Sequence, residues 1–150
     1  MRIWVALGLL LAVCCAPARA QHKGELGVGP LIGYPMAATA KLFLSERDAL
    51  DLGAGKSDDV TFHADYVWHD WKVLPQPKRG PLALTLAAGP RLELQAKTDF
   101  GIRVMAGLSY WPKLNRVAEF FIELGPTFRL TNETRTRVDG GFGFRIYFKP

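Results

Sequence analysis

Large apolar residues alternate one for one with small or polar ones through most of this chain. A period of two is the signature of a β-strand with two unlike faces. The clearest run is Asp99 to Tyr110, where Phe100, Ile102, Val104, Ala106, Leu108 and Tyr110 share one face and Asp99, Gly101, Arg103, Met105, Gly107 and Ser109 the other. The pattern returns from Glu119 (Phe120, Ile122, Leu124, Phe128) and from Val138 (Phe142, Phe144, Ile146, Phe148). Five earlier segments obey it too, starting near Leu26, Met36, Leu50, Phe62 and Leu82. Turn residues separate them, as at Gly33-Tyr34-Pro35, Ser45-Glu46-Arg47, Lys56-Ser57-Asp58, Lys78-Arg79-Gly80-Pro81, Pro112-Lys113 and Thr131-Asn132-Glu133. Eight such segments, most of them close to the roughly 9–11 residues that a tilted membrane strand needs, predict an all-β fold. The expected form is a closed antiparallel up-and-down barrel of eight strands, transmembrane and without edges.

Alternation leaves open which face points outward, because a soluble lipocalin-type barrel has the same period with its apolar side inside. The polar face here is dominated by Gly, Ala, Thr and Ser punctuated by single charges. Small residues suit the narrow inside of an eight-stranded barrel, whereas on a water-facing surface the glycines would only weaken the strands. Trp68, Trp71, Tyr110, Trp111, Phe120, Phe128 and Phe148 lie near segment ends, where aromatic girdles form at a membrane surface. The apolar face is therefore expected to look out at lipid.

The inward set then carries Lys41, Arg91, Arg103, Arg129 and Arg145 against Asp51, Asp65, Glu123 and Asp139, with His63 and His69 between them. Charges in so dry a space must pair, so these residues are expected to form a cross-barrel ionic plug that fills the interior. Glu25, Glu93, Asp99 and Glu119 are nearest the segment ends and fit a water-exposed rim equally well. Gly29-Pro30, Gly89-Pro90 and Gly125-Pro126 put prolines inside strands, where each removes a ladder donor. In a barrel without edges they are expected at bulges. The longest connection is Lys72 to Pro81.

The first twenty residues read as a cleaved secretory signal: Arg2, an apolar or small run from Ile3 to Val13, then Ala18-Arg19-Ala20 before a cut at Gln21. Lipidation at Cys14 or Cys15 is the alternative, but it needs a small residue just before the cysteine, where Val13 or Cys14 stands. Domains are thus expected at 1–20 (signal peptide) and 21–150 (barrel). Both cysteines fall in the signal, so no disulfide supports the barrel. Losing Arg2 and Arg19 lowers the formal charge of +5 by two, and acids and bases interleave without a basic run, which argues against nucleic acid.

Gly33-Tyr34-Pro35, Lys41, Asp48-Ala49-Leu50-Asp51, His63-Ala64-Asp65-Tyr66 and the closing Gly143-Phe144-Arg145-Ile146-Tyr147-Phe148 resemble a family of small outer-membrane β-barrels of proteobacteria and spirochaetes. That family is similar in architecture to the OmpA and OmpX barrels. The resemblance implies an outer-membrane barrel and assigns no catalytic residue; no cofactor is expected, and the chain is expected to be a monomer surrounded by outer-membrane lipid. Its biogenesis would pass through periplasmic chaperones and the barrel-assembly machinery. Gly143, Ile146 and Phe148 look like the signal that this machinery reads, although Lys149 and Pro150 follow the terminal aromatic.

Enzyme chemistry finds little support. Some outer-membrane barrels modify lipid A with a His, a Ser and a carboxylate at the membrane face. Here His63 and Asp65 stand about 6.6 Å apart along a strand, with His69 about 20 Å from His63, and Ser109 belongs to another strand. No cysteine and no histidine pair has metal-ligand spacing, and the glycines follow strand parity rather than a phosphate loop. The expected function is a structural or surface outer-membrane barrel. The alternatives are a periplasmic lipocalin-like carrier of an apolar ligand and a surface adhesin or receptor acting through its loops.

Overall fold

A computed structural model of the chain describes residues 22–114, 117–131 and 134–148. The segment expected to be a signal peptide, with Cys14 and Cys15, part of the Thr131-Asn132-Glu133 turn, and Lys149-Pro150 lie outside the described residues. Eight strands follow in order: β1 (Leu26–Tyr34), β2 (Met36–Phe43), β3 (Asp48–Lys56), β4 (Val60–Asp70), β5 (Leu82–Leu94), β6 (Asp99–Tyr110), β7 (Ala118–Arg129) and β8 (Arg135–Phe148). Each pairs antiparallel with its neighbours, and β8 closes on β1 with Leu26 opposite Phe148 and Val28 opposite Ile146.

The registers keep the parity seen in the sequence. Phe100, Ile102, Phe142 and Phe144 stand on the outer wall at 42, 42, 60 and 43% exposure, and every strand contributes large exposed apolar side chains. Inside are Lys41, Asp51, Arg91, Arg103, Asp139 and Arg145, all buried. The fold is thus inverted relative to a soluble domain, with ions in the middle and hydrocarbon outside.

Glycines make room for this interior. Tyr147 lays its ring over its cross-strand partner Gly27, His63 over Gly53 and Phe121 over Gly143; a Cβ at any of the three would overlap the ring. A large side chain facing a glycine across the ladder fills the space the glycine leaves, which is how small and large residues share a narrow barrel.

The prolines do not sit at bulges. Val28↔Ile146 and Leu31↔Gly143 keep one register on either side of Gly29-Pro30, and only the pairing of those two residues to β8 is missing. The same two-residue gap occurs at Gly89-Pro90 toward β4 and at Gly125-Pro126 toward β6. On the opposite side each dipeptide stays paired, for example Gly89 with Arg103 and Pro90 with Ile102. A strand residue sends its N–H to one neighbour only, so a proline costs the ladder on one side and spares the other. The preceding glycine lets the neighbouring strand stay close, because a Cβ there would overlap the carbonyl oxygen of Phe144, Ala64 or Val104 respectively.

The two mouths differ. At the end that carries both termini, the connections are residues 44–47, 71–81 and 111–117; at the other they are Pro35, 57–59, 95–98 and 130–134. The long β4–β5 connection is ordered by its own side chains. Asp70 Oδ1 accepts from the N–H groups of Lys72 and Val73, and the Gln76 amide donates to the carbonyls of Trp71 and Leu82 while accepting from Leu82 N–H. Trp111 is not part of an outer girdle: it is fully buried inside this mouth with Phe43, Ala49, Val67, Ala83 and Tyr147, and half-buried Trp71 packs against the same cluster.

Candidate functional site

The charged interior has two layers and an aromatic cap. In the middle layer Glu119 of β7 is the hub: Lys41 Nζ lies 2.7 Å from its Oε1, while Arg145 Nη1 at 3.2 Å and the Tyr147 hydroxyl at 2.6 Å reach its Oε2. Arg145 also pairs with Asp51 at 2.5 Å and donates to Thr39 Oγ1 at 2.9 Å, and its guanidinium lies 3.8 Å from the Phe121 ring centroid. Arg103 joins Asp65 at 3.0 Å and Glu123 at 2.6 Å. A cavity of about 20 Å³ touches Lys41, Asp51, Thr85, Ser109, Glu123 and Arg145, roughly the room one water needs. The Oδ1 atoms of Asp51 and Asp65 are buried without a hydrogen-bond partner.

The second layer lies toward the mouth away from the termini. Glu93 of β5 receives three guanidiniums, those of Arg91 at 2.8 Å, Arg129 at 2.6 Å and Arg137 at 2.6 Å. Asp139 pairs with Arg91 and Arg137 and accepts from Thr127 Oγ1. Arg129 reaches Asp99 as well, at 3.4 Å. Above this layer opens a vestibule of about 440 Å³. Asp58 and Asp59 form one lip and Arg129, Arg135 and Arg137 the other. Tyr34 spans them, its hydroxyl hydrogen-bonded to Asp58 and its ring 4.7 Å from the Arg137 guanidinium carbon.

All eleven residues expected to line the interior do so, but not as one plug. Lys41, Asp51, Asp65, Arg103, Glu123 and Arg145 meet in the middle layer, and Arg91, Arg129 and Asp139 in the outer one. The histidines stand apart. His63 covers Gly53, and His69 sits in the cap, Nδ1 2.9 Å from Arg47 O and ring stacked 5.8 Å from that of Trp71. Nor is the interior filled along its whole length, since the vestibule is hollow. Glu25, Glu93, Asp99 and Glu119 are not rim charges: all four are at most 5% exposed. Arg137 and Tyr34 were missed as members of the outer layer. Arg137 shares the parity of Asp139 and Arg145, a signal that was present; Tyr34 carries none, being a turn residue by its Gly-Tyr-Pro setting. His69 makes no hydrogen bond to Ser109, since its Nδ1 meets Arg47 O and its Nε2 has no partner, and among the described residues no group of three His, Cys, Asp or Glu could hold a metal ion.

This barrel has a counterpart among solved structures. It is similar to the N-terminal β-barrel domain of Pseudomonas aeruginosa OprF, with a TM-score of 0.61 and 16% identity over 85% of this chain and 100% of that one. At that identity the likeness is one of fold. No protein-family model and no curated protein matches the chain.

Proposed function

We propose that the chain is a monomeric structural or surface protein of a bacterial outer membrane, exported through its N-terminal segment and without catalytic activity. The observation that carries this reading is the inversion of the wall. All eight strands carry large apolar side chains on the outward face, while seventeen polar or charged residues are buried among those described. In water so much contiguous apolar surface would drive aggregation; against acyl chains it is the solvent-matched side. The fold shared with the OprF barrel domain supports the same reading. A closed barrel satisfies the strand hydrogen bonds internally and leaves no edge for a partner, which fits a monomer.

A lipocalin-like carrier needs an apolar hollow, and the hollow here is lined by arginines and carboxylates. A loop-based adhesin has little to work with at the mouth away from the termini, where the β1–β2 connection is Pro35 alone. The nearer kinship to proteobacterial and spirochaetal barrels, and recognition of Gly143, Ile146 and Phe148 by the assembly machinery, belong to the same proposal. In the structure Gly143 lies under Phe121, and Ile146 and Phe148 face outward on the closing strand. Envelope fractionation tests it. The protein is expected in the outer-membrane fraction, resistant to urea extraction; recovery in the soluble periplasmic fraction would overturn the reading.

A further inference from the structure

We propose that the vestibule is a binding site for a small zwitterion, a molecule that presents an ammonium group to Asp58 and Asp59 and an oxyanion, phosphate or carboxylate, to Arg135 and Arg137. Three observations point there. The hollow is large for this barrel: at about 440 Å³ it falls within the range of small-ligand sites, whereas the other end is sealed by packed aromatic rings. It is also polarised across its width. The acidic lip is the β3–β4 turn and the basic lip comes from β7 and β8, four strands away around an eight-stranded ring and therefore facing it. Tyr34 holds the two lips in place through Asp58 and Arg137.

The floor decides what kind of ligand fits. Glu93, Asp99 and Asp139 set three negative charges against Arg91, Arg129 and Arg137, so the floor has no need of a counter-ion and a ligand meets Arg137 as a paired hydrogen-bond donor at the edge of that floor. A simple anion drawn to the basic lip would face Asp58 and Asp59 across the mouth, and a simple cation would face Arg135 and Arg137. A dipolar ligand meets both lips with the right sign, and its ammonium brings three donors to two carboxylates. Donor capacity remains below, because Arg91 Nε is buried among these residues with no hydrogen-bond partner. The ligand class covers both a free solute and the head group of an amino-phospholipid leaning into the mouth.

Protein refolded in detergent micelles and labelled with ¹⁵N at arginine side chains reads the site directly. Titration with O-phosphoethanolamine is expected to move the Nε–H resonances of Arg135 and Arg137 saturably, with inorganic phosphate alone and ethanolamine alone each roughly tenfold weaker. In the Asp58→Asn/Asp59→Asn variant, phosphoethanolamine should bind no better than phosphate. The new amide oxygen beside Tyr34 can still accept its hydroxyl, so the lips keep their tie while the acidic charge is gone. Bicelles containing phosphatidylethanolamine, compared with phosphatidylcholine alone, separate the sources: shifts without added solute mark a lipid head group, and shifts only on titration mark a free ligand. Phosphate binding as tightly as phosphoethanolamine, or resonances unmoved by the titration and by the lipid exchange alike, would overturn the proposal. It concerns the barrel mouth alone, so its failure leaves the outer-membrane reading intact and is distinguishable from the fractionation result.

Discussion

Glu119 has no exposed surface and holds two cations and a phenol on one carboxylate, so it shows what a single interior residue is worth. Glu119→Gln removes the charge and keeps the shape, leaving Lys41 and Arg145 to share Asp51. Taking away one partner of a buried pair costs about 3–5 kcal/mol, because the survivor stays desolvated. The urea midpoint of the variant in lipid vesicles, followed by tryptophan fluorescence, should fall accordingly. Pairing it with Lys41→Met should restore most of the loss, since a buried apolar side chain needs no partner. Arg103→Leu tests the neighbouring cluster, stranding Asp65, whose side chain is 3% exposed. Its folded band on an unheated gel should convert to the unfolded position at lower temperature than wild type. Lys56→Gln, exposed at a strand end, should stay within about 0.5 kcal/mol of wild type.

At the scale of the strand, glycine and its cross-strand ring form the unit of packing. Gly27→Val would drive Tyr147 off its seat and pull its hydroxyl from Glu119, so the substitution should lower the urea midpoint and also expose the cap to a collisional quencher. Gly89→Val meets a carbonyl oxygen of β4 instead of a ring, and backbone cannot swing aside; refolding yield is the measurement, and it should drop further than for Gly27→Val. Strand parity made most of this legible in advance. Knowing that Phe100 and Phe142 face out tells at once that Arg103 and Asp139 face in, because a strand has only two sides. The parity that places Ser109 inside also places Trp111 there, yet an aromatic at a strand end suggested a girdle. The prolines misled for a different reason. A bulge is one way to absorb a missing donor, but a glycine beside the proline lets the neighbouring strand keep its register, and these three dipeptides use that route.

Over the whole barrel the property least legible in sequence is height along the axis. Parity assigns a face, whereas the meeting of Arg91, Arg129 and Arg137 on Glu93 depends on the tilt and stagger of β5, β7 and β8, which no local spacing encodes. That is why a single ionic plug was expected where the structure has a cap, a filled middle and an open vestibule. The asymmetry has a consequence that thiol chemistry measures without background, because Cys14 and Cys15 are the chain's two cysteines and a version starting at residue 21 has neither. Gln95→Cys, exposed at the vestibule, should react with a small charged methanethiosulfonate reagent in the folded protein. Ser109→Cys, 2% exposed and two residues from Trp111, should not, because the rings of Phe43, Trp111 and Tyr147 close one route and the arginine layers the other. Removing the lid with Trp111→Ala should make Ser109→Cys reactive while leaving the rate at Gln95→Cys unchanged, since the two positions are reached through opposite mouths. Rapid labelling of Ser109→Cys with Trp111 in place would mean that solvent already passes the aromatic cap, and the barrel would then be open at both ends around its filled middle rather than a vessel open at one end.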